Sequence, residues 1–183
     1  MSKISSQRGS PEPHYASVKL LVMDADGVLT DGSIYVSASG EEIKRFNVWD
    51  GAGITMLHRV GVKTAIISSR SSHAVEVRAK ELGITEVRQG VSGKLAALES
   101  LLEACGLKAK EVCYVGDDLN DIPVMRVVGA SVAVANARPE VKRAASVVTE
   151  AAGGDGAIRE VAEAIVRAQG KWEGVLDSYA EAE

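Results

Sequence analysis

A chain of 183 residues, 46% of them hydrophobic and 25% charged, has the length and composition of one globular domain able to bury a continuous core. Its net charge of -4 excludes the basic footprint of a nucleic-acid binder, and aromatics at 4% are too few for base-stacking platforms. No apolar run reaches the roughly 20 residues of a membrane helix, and Cys105 and Cys113 fit neither a zinc knuckle nor a disulfide framework, so both read as reduced thiols.

Residues 1–17 hold Ser, Arg, Pro and His without the apolar core of a signal peptide, and read as a loose arm on a cytoplasmic protein. One domain is expected over residues 18–170, followed by a tail over 171–183 that is polar apart from Trp172, Val175, Leu176 and Tyr179. The domain opens on a buried strand, 18–23, that ends abruptly in Asp24-Ala25-Asp26-Gly27. Residues 33–36 and 42–48 alternate apolar and polar about Ser39-Gly40, the pattern of an antiparallel hairpin. Asp50 is a candidate N-cap for a helix to about Val60, with Gly61 at its end.

A second strand, 62–67, stops at Ser68-Ser69-Arg70 and is followed by a helix over 72–82 and a short strand over 84–87. Ser92 is placed to cap a helix carrying Leu95, Leu98, Leu101 and Leu102, closed by Gly106. The strand 111–115 runs into Gly116-Asp117-Asp118-Leu119-Asn120-Asp121, and Pro123 sits in the first turn of the next helix, where a missing N–H is harmless. A strand over 132–135, a short helix over 139–144, an edge strand over 147–148, a glycine-rich loop at 153–156 and an amphipathic helix to about residue 168 complete the domain. The alternation predicts an α/β fold: a Rossmann-like parallel sheet with helices on both faces and a small β-hairpin flap.

In such a sheet the carboxyl ends of the strands share one edge, where ligands bind. Asp24, Asp26, Ser68, Lys94, Asp117, Asp118 and Asp121 all fall at strand ends or just beyond, so the topology gathers them. A phosphate monoester is a dianion, and a carboxylate can attack it only where positive charge offsets the repulsion. Mg²⁺ suits hard oxygen donors: Asp24, Asp117 and the backbone carbonyl of Asp26 are the expected ligands. Asp24 is the expected nucleophile, forming an aspartyl-phosphate, with Asp26 as acid and then base. Lys94 would neutralise charge and Ser68 would donate to a phosphoryl oxygen, while Asp118 and Asp121 orient metal waters or Lys94. Taken singly, each has a plainer reading as a turn, cap or solvated residue; the constellation is what promotes them. His14, His58 and His73 are too scattered for a metal site or a triad, and the glycine loop at 153–156 lacks a nucleotide fingerprint, so it reads as a loop or interface.

Asp24-Ala25-Asp26-Gly27-Val28-Leu29-Thr30-Asp31-Gly32, Ile66-Ile67-Ser68, Lys94 and Gly116-Asp117-Asp118-x-x-Asp121 resemble the four motifs of the haloacid dehalogenase superfamily. Gly40-Glu41-Glu42, Phe46-Asn47-Val48-x-Asp50-Gly51-x-Gly53-Ile54 and Ala152-Gly153-Gly154-x-Gly156-Ala157 narrow the resemblance to its capless tetrameric branch, over residues 18–171. That branch implies Mg²⁺, a homotetramer whose hairpins and C-terminal tails close neighbouring sites, and a cytoplasmic phosphatase step in lipopolysaccharide core sugar synthesis. The implied substrate is 3-deoxy-D-manno-octulosonate 8-phosphate, with Asn47, Asp50, Gly51, Arg70, Arg78 and Lys94 at substrate-facing positions. Branch members acting on that substrate usually carry arginine where this chain has Trp49 and Thr55. A nine-carbon 2-keto sugar-acid phosphate or a broad range of sugar phosphates is therefore an alternative, and a receiver-like domain or an oligomerisation module of sugar-nucleotide synthesis are rivals of another class. Ile34, Val36, Ile43 and Phe46 have no obvious place on the sheet, an independent argument for a neighbouring copy.

Overall fold

The computed structural model describes residues 5–6 and 14–180. In chain order its strands are β1 (Ser5–Ser6), β2 (Leu20–Met23), β3 (Tyr35–Val36), β4 (Glu42–Ile43), β5 (Lys63–Ile67), β6 (Glu86–Arg88), β7 (Val112–Gly116), β8 (Ala130–Ala133) and β9 (Val147–Val148). The α-helices are α1 (Val48–Arg59), α2 (His73–Glu81), α3 (Lys94–Cys105), α4 (Ile122–Met125), α5 (Pro139–Ala144), α6 (Ala157–Ala168) and α7 (Trp172–Ala180). One seven-stranded sheet has the order β1-β9-β8-β7-β2-β5-β6 and is parallel except at β1, while β3 and β4 form a separate antiparallel pair.

The predicted α/β sheet with a hairpin flap is thus the observed fold. Its centre is β2, flanked by β5 and β7 with Met23 level with both Ile66 and Val115. Every residue of β2 is buried, which requires cover on both faces and explains why Leu20-Leu21-Val22-Met23 reads as a continuous apolar run rather than an alternation. The shared register carries the chain ends after β2, β5 and β7 to one edge.

Several boundaries differ from the sequence reading. Helix α1 begins at Val48 because Asn47 is extended and its side-chain oxygen accepts from the Trp49 N–H at 2.7 Å, so Asn47 rather than Asp50 is the N-cap. Ser92 does not cap α3: Gly93 holds that place without a side-chain bond, and Lys94 is the first helical residue. In the tail, α7 buries Val175, and the Arg167 guanidinium lies 3.5 Å from the Trp172 ring centre. Of the arm read over 1–17, Ser5–Ser6 pair with Val147–Val148 at the sheet edge and Tyr15 is buried; residues 1–4 and 7–13 lie outside the described part.

Candidate active site

The site is built on the loop that leaves β2. The Asp24 N–H still donates to the Val115 carbonyl at 3.0 Å, so the first carboxylate is anchored by the sheet ladder before the chain turns. Gly27 then takes φ +84°, and a Cβ there would collide with the Asp117 carboxylate. Glycine at 27 is therefore what lets the acidic ends of β2 and β7 close on each other. The Gly153–Gly154 loop presses on the other side, with the Gly154 N–H donating to the Val28 carbonyl at 2.9 Å and no room for a side chain at 153. The glycine-rich stretch thus packs against the loop after β2 and holds it in place.

Beneath this lip lies a buried ionic network. Lys94 Nζ donates to Asp24 Oδ2 and to Asp121 Oδ1, each at 2.6 Å, from a side chain only 1% exposed. Asp121 Oδ1 also accepts from the Tyr114 hydroxyl at 2.6 Å, and its Oδ2 accepts the N–H groups of Asp117 at 2.9 Å and Asp118 at 3.1 Å. Asp121 is thereby saturated and acts as a fixed brace for Lys94 and the β7 loop. Asp118 caps the turn after β7 by accepting from the Leu119 N–H at 2.8 Å, and lines the mouth. Tyr114 was invisible as a site residue because it sits inside the apolar run of β7 and its hydroxyl reaches the network only through the pleat.

Electrostatics set the carboxylates apart. Burial pushes Asp24 up to about 6 against the opposing pull of Lys94. Burial, reinforced by Asp24 and Asp121, pushes Asp117 up to about 7. Burial alone would lower Lys94, but Asp24 and Asp121 outweigh it and hold the ammonium charged. Carboxylate oxygens of Asp24, Asp117 and Asp121 lie within 4.8 Å of one another, and Asp117 Oδ1 is buried with no partner among the described residues. A buried acceptor left open beside a second carboxylate suits a divalent cation. Because Asp121 is already fully bonded, Asp24 and Asp117 are the two side chains that fit it.

Above the network opens a cleft of about 230 Å³ lined by Asp24, Asp26, Gly27, Ser68, Arg70 and Asp117, with Asn120 at its rim. Asn120 Nδ2 donates to Ser69 Oγ at 3.1 Å, joining the ends of β5 and β7. Ser68 is buried and its hydroxyl accepts from the Arg70 N–H at 3.3 Å. A larger cavity, about 380 Å³ and lined by His58, Thr64 and Cys105, holds none of the predicted site residues. Asp26 is gripped by Lys44, bonded to Oδ1, and by Arg70, whose Nε stands 3.8 Å from Oδ2. Lys44 escaped the sequence reading, because alternation on the hairpin would turn Ile43 inwards and Lys44 outwards, the reverse of what is observed.

The substrate-facing positions scatter. Arg70 lines the cleft, and Lys94 lies directly below it. Arg78 instead pairs with Glu81 at 2.8 Å and lines an adjoining groove with Glu42 and Phe46, where Gly51 leaves space for its guanidinium. Asp50 does not face the cleft: buried, its carboxylate accepts from the N–H groups of Gly156 at 3.3 Å and Arg159 at 3.0 Å, serving the N-terminus of α6. Asn47 is occupied as the cap of α1. Thr55 bonds back to the Gly51 carbonyl, and Trp49 is 66% exposed.

Residues 66–161 match the family described as haloacid dehalogenase-like hydrolase. Over 155 residues the chain is 50% identical to the 3-deoxy-D-manno-octulosonate 8-phosphate phosphatase KdsC of Escherichia coli K12, covering 85% of this chain and 82% of that protein. The crystal structure of the phosphatase of that name from Yersinia pestis superposes with a TM-score of 0.86 at 48% identity, over 87% of this chain and 86% of that one. The Moraxella catarrhalis enzyme, solved with a magnesium ion, a phosphate ion and KDO, has a TM-score of 0.88 at 39% identity, over 90% and 95% of the two chains.

Proposed function

We propose that this chain, which belongs to the haloacid dehalogenase-like hydrolase family, is a Mg²⁺-dependent phosphatase that hydrolyses 3-deoxy-D-manno-octulosonate 8-phosphate to the free sugar acid and phosphate. The observation that carries the reading is the pairing of Asp24 with Asp117, whose open, buried Oδ1 calls for a cation, in a cleft also lined by Asp26 and Ser68. Asp24, Asp117 and the Asp26 carbonyl would hold Mg²⁺, which supplies charge neutralisation at the phosphoryl oxygens.

Asp24 attacks phosphorus and forms the Oδ–P bond as the P–O bond to the sugar breaks. Asp26 gives its proton to the departing alkoxide, then takes one from the water that attacks the aspartyl-phosphate and regenerates Asp24. Lys94 holds Asp24 with its oxygens directed, Ser68 donates to a phosphoryl oxygen, and Asp121 and Asp118 fix Lys94 and the β7 loop. Arg70 is suited to the sugar-acid carboxylate. The hairpin leaves Ile34, Tyr35, Val36 and Ile43 49%, 50%, 65% and 56% exposed, which supports a homotetramer in which neighbouring copies cover it. No described helix is long and apolar enough to cross a membrane, and the reading places the enzyme in the cytoplasm, in lipopolysaccharide core sugar synthesis.

The test is phosphate release, with Mg²⁺ and with EDTA, from the octulosonate 8-phosphate beside a nine-carbon 2-keto sugar-acid phosphate and plain sugar phosphates. Strong preference for the eight-carbon ester is expected; preference for the nine-carbon acid would move the enzyme to another substrate, and no release from any ester would defeat the reading. A linked prediction concerns pH. With Asp24 raised to about 6 and Asp117 to about 7, protons compete with the cation below those values, so Mg²⁺ affinity rises with pH and levels off above them. The thermal shift given by a fixed Mg²⁺ concentration should therefore grow from about pH 5 to about pH 8, and a shift independent of pH would argue against these ligands.

A further inference from the structure

The hairpin points its apolar side chains outwards and its lysine inwards. Ile43 is 56% exposed, whereas the Lys44 side chain is 0% exposed. Folding stability alone favours the reverse, since burying an ammonium is costly unless it is paired. Here it is paired at both carboxylates in reach: Lys44 Nζ bonds Asp26 Oδ1 and lies 3.3 Å from Glu42 Oε1. Arg70 completes the ring, with Nη2 2.6 Å from Glu42 Oε2 and Nε 3.8 Å from Asp26 Oδ2. Asp26 lines the cleft and the fully buried Lys44 does not, so the carboxylate that the lysine bonds stands between it and the cleft.

We propose that Lys44 is a positioning residue for proton transfer: it fixes the Asp26 carboxylate over the cleft, and it makes the seating of the hairpin and the placement of that carboxylate a single event. The inference rests on the phosphatase reading. As the P–O bond to an alkyl leaving group breaks, the alkoxide must receive a proton carried by the protonated form of Asp26 on Oδ2, the oxygen that Lys44 does not bond, and a carboxyl group free to rotate away delivers it poorly. A nitrophenolate leaves without that proton. Loss of Lys44 should therefore be felt according to the leaving group, which a merely structural lysine would not produce.

The experiment compares the full chain with Lys44→Met, Lys44→Arg, Asp26→Asn and the Lys44→Met/Asp26→Asn double variant, in Mg²⁺, on the octulosonate 8-phosphate and on 4-nitrophenyl phosphate. Lys44→Met should lower kcat for the alkyl ester by about 10²-fold with KM nearly unchanged, and kcat for the aryl ester only a few-fold. In the Asp26→Asn background the same substitution should add nothing. Should Lys44→Met fail to fold, Lys44→Arg gives the comparison alone, with a smaller loss again confined to the alkyl ester. Equal losses on both esters, no loss, or a full additional loss without Asp26 would overturn the inference. A wild-type chain that releases phosphate from neither ester defeats the phosphatase reading itself, whereas equal losses defeat only the role of Lys44.

Discussion

Asp24→Asn is expected to reduce phosphate release by at least about 10³-fold while leaving the fold intact. The substitution removes the attacking oxygen, and no other carboxylate among the described residues is placed to replace it: Asp26 is held by Lys44 and Arg70, Asp121 is fully buried and does not line the cleft, and Asp117 is the carboxylate that fits the cation. The fold should survive because an amide oxygen can still accept from the Ala25 N–H, which Asp24 Oδ1 does now at 2.7 Å, and because Lys94 keeps Asp121. The variant also loses a charge that burial opposes. A carboxyl raised to about 6 in the folded state contributes stability at low pH that disappears as pH rises through that value. In Mg²⁺-free buffer the variant should thus melt at or above the wild-type temperature at about pH 8, and the margin should shrink towards about pH 5. Near-normal turnover with unchanged circular dichroism would sink Asp24 as nucleophile.

Legibility in the sequence followed the range of the interactions. Asp24, Asp26, Ser68, Asp117 and Lys94 could be grouped from the chain alone because a parallel sheet sends all its strand ends to one edge, whatever their separation in sequence. Side chains that reach the site by crossing an element were not legible. Tyr114 lies in a strand whose apolar pattern is set by core packing, and its hydroxyl contributes nothing to that pattern. Asp50 looked like a local cap because Asp before a helix usually is one. Its carboxylate serves a helix more than a hundred residues further on, and Asn47, three residues earlier, takes the local role. Lys44 was hidden by the opposite fault. A charged residue on a short hairpin is normally solvated, and only the acidic lip opposite it turns that phase inwards.

The second large effect is expected at Lys94, whose ammonium is, among the described residues, the single cation bonded to both Asp24 and Asp121. Lys94→Met keeps the length of the side chain and removes the charge, leaving Asp24, Asp117 and Asp121 with oxygens within 4.8 Å of one another and no ammonium among them. Breaking a buried pair in this way costs about 3–5 kcal/mol when the remaining charges stay ionised. They can escape that cost by taking up protons. Lys94 pulls both Asp24 and Asp117 downwards, so without it their folded-state values climb beyond the present values of about 6 and 7. The native state of the variant then binds more protons than the unfolded chain, and its stability falls as pH rises through those values. Urea unfolding should accordingly find the variant close to wild type near about pH 5 and destabilised by most of that amount near about pH 8, with Mg²⁺ restoring part of the difference. Turnover should be lost at both pH values, because Asp24 loses its orientation as well as its counter-charge. A destabilisation equal at the two pH values would mean that Lys94 supports the fold by packing, and that its charge does not offset the repulsion among the clustered carboxylates.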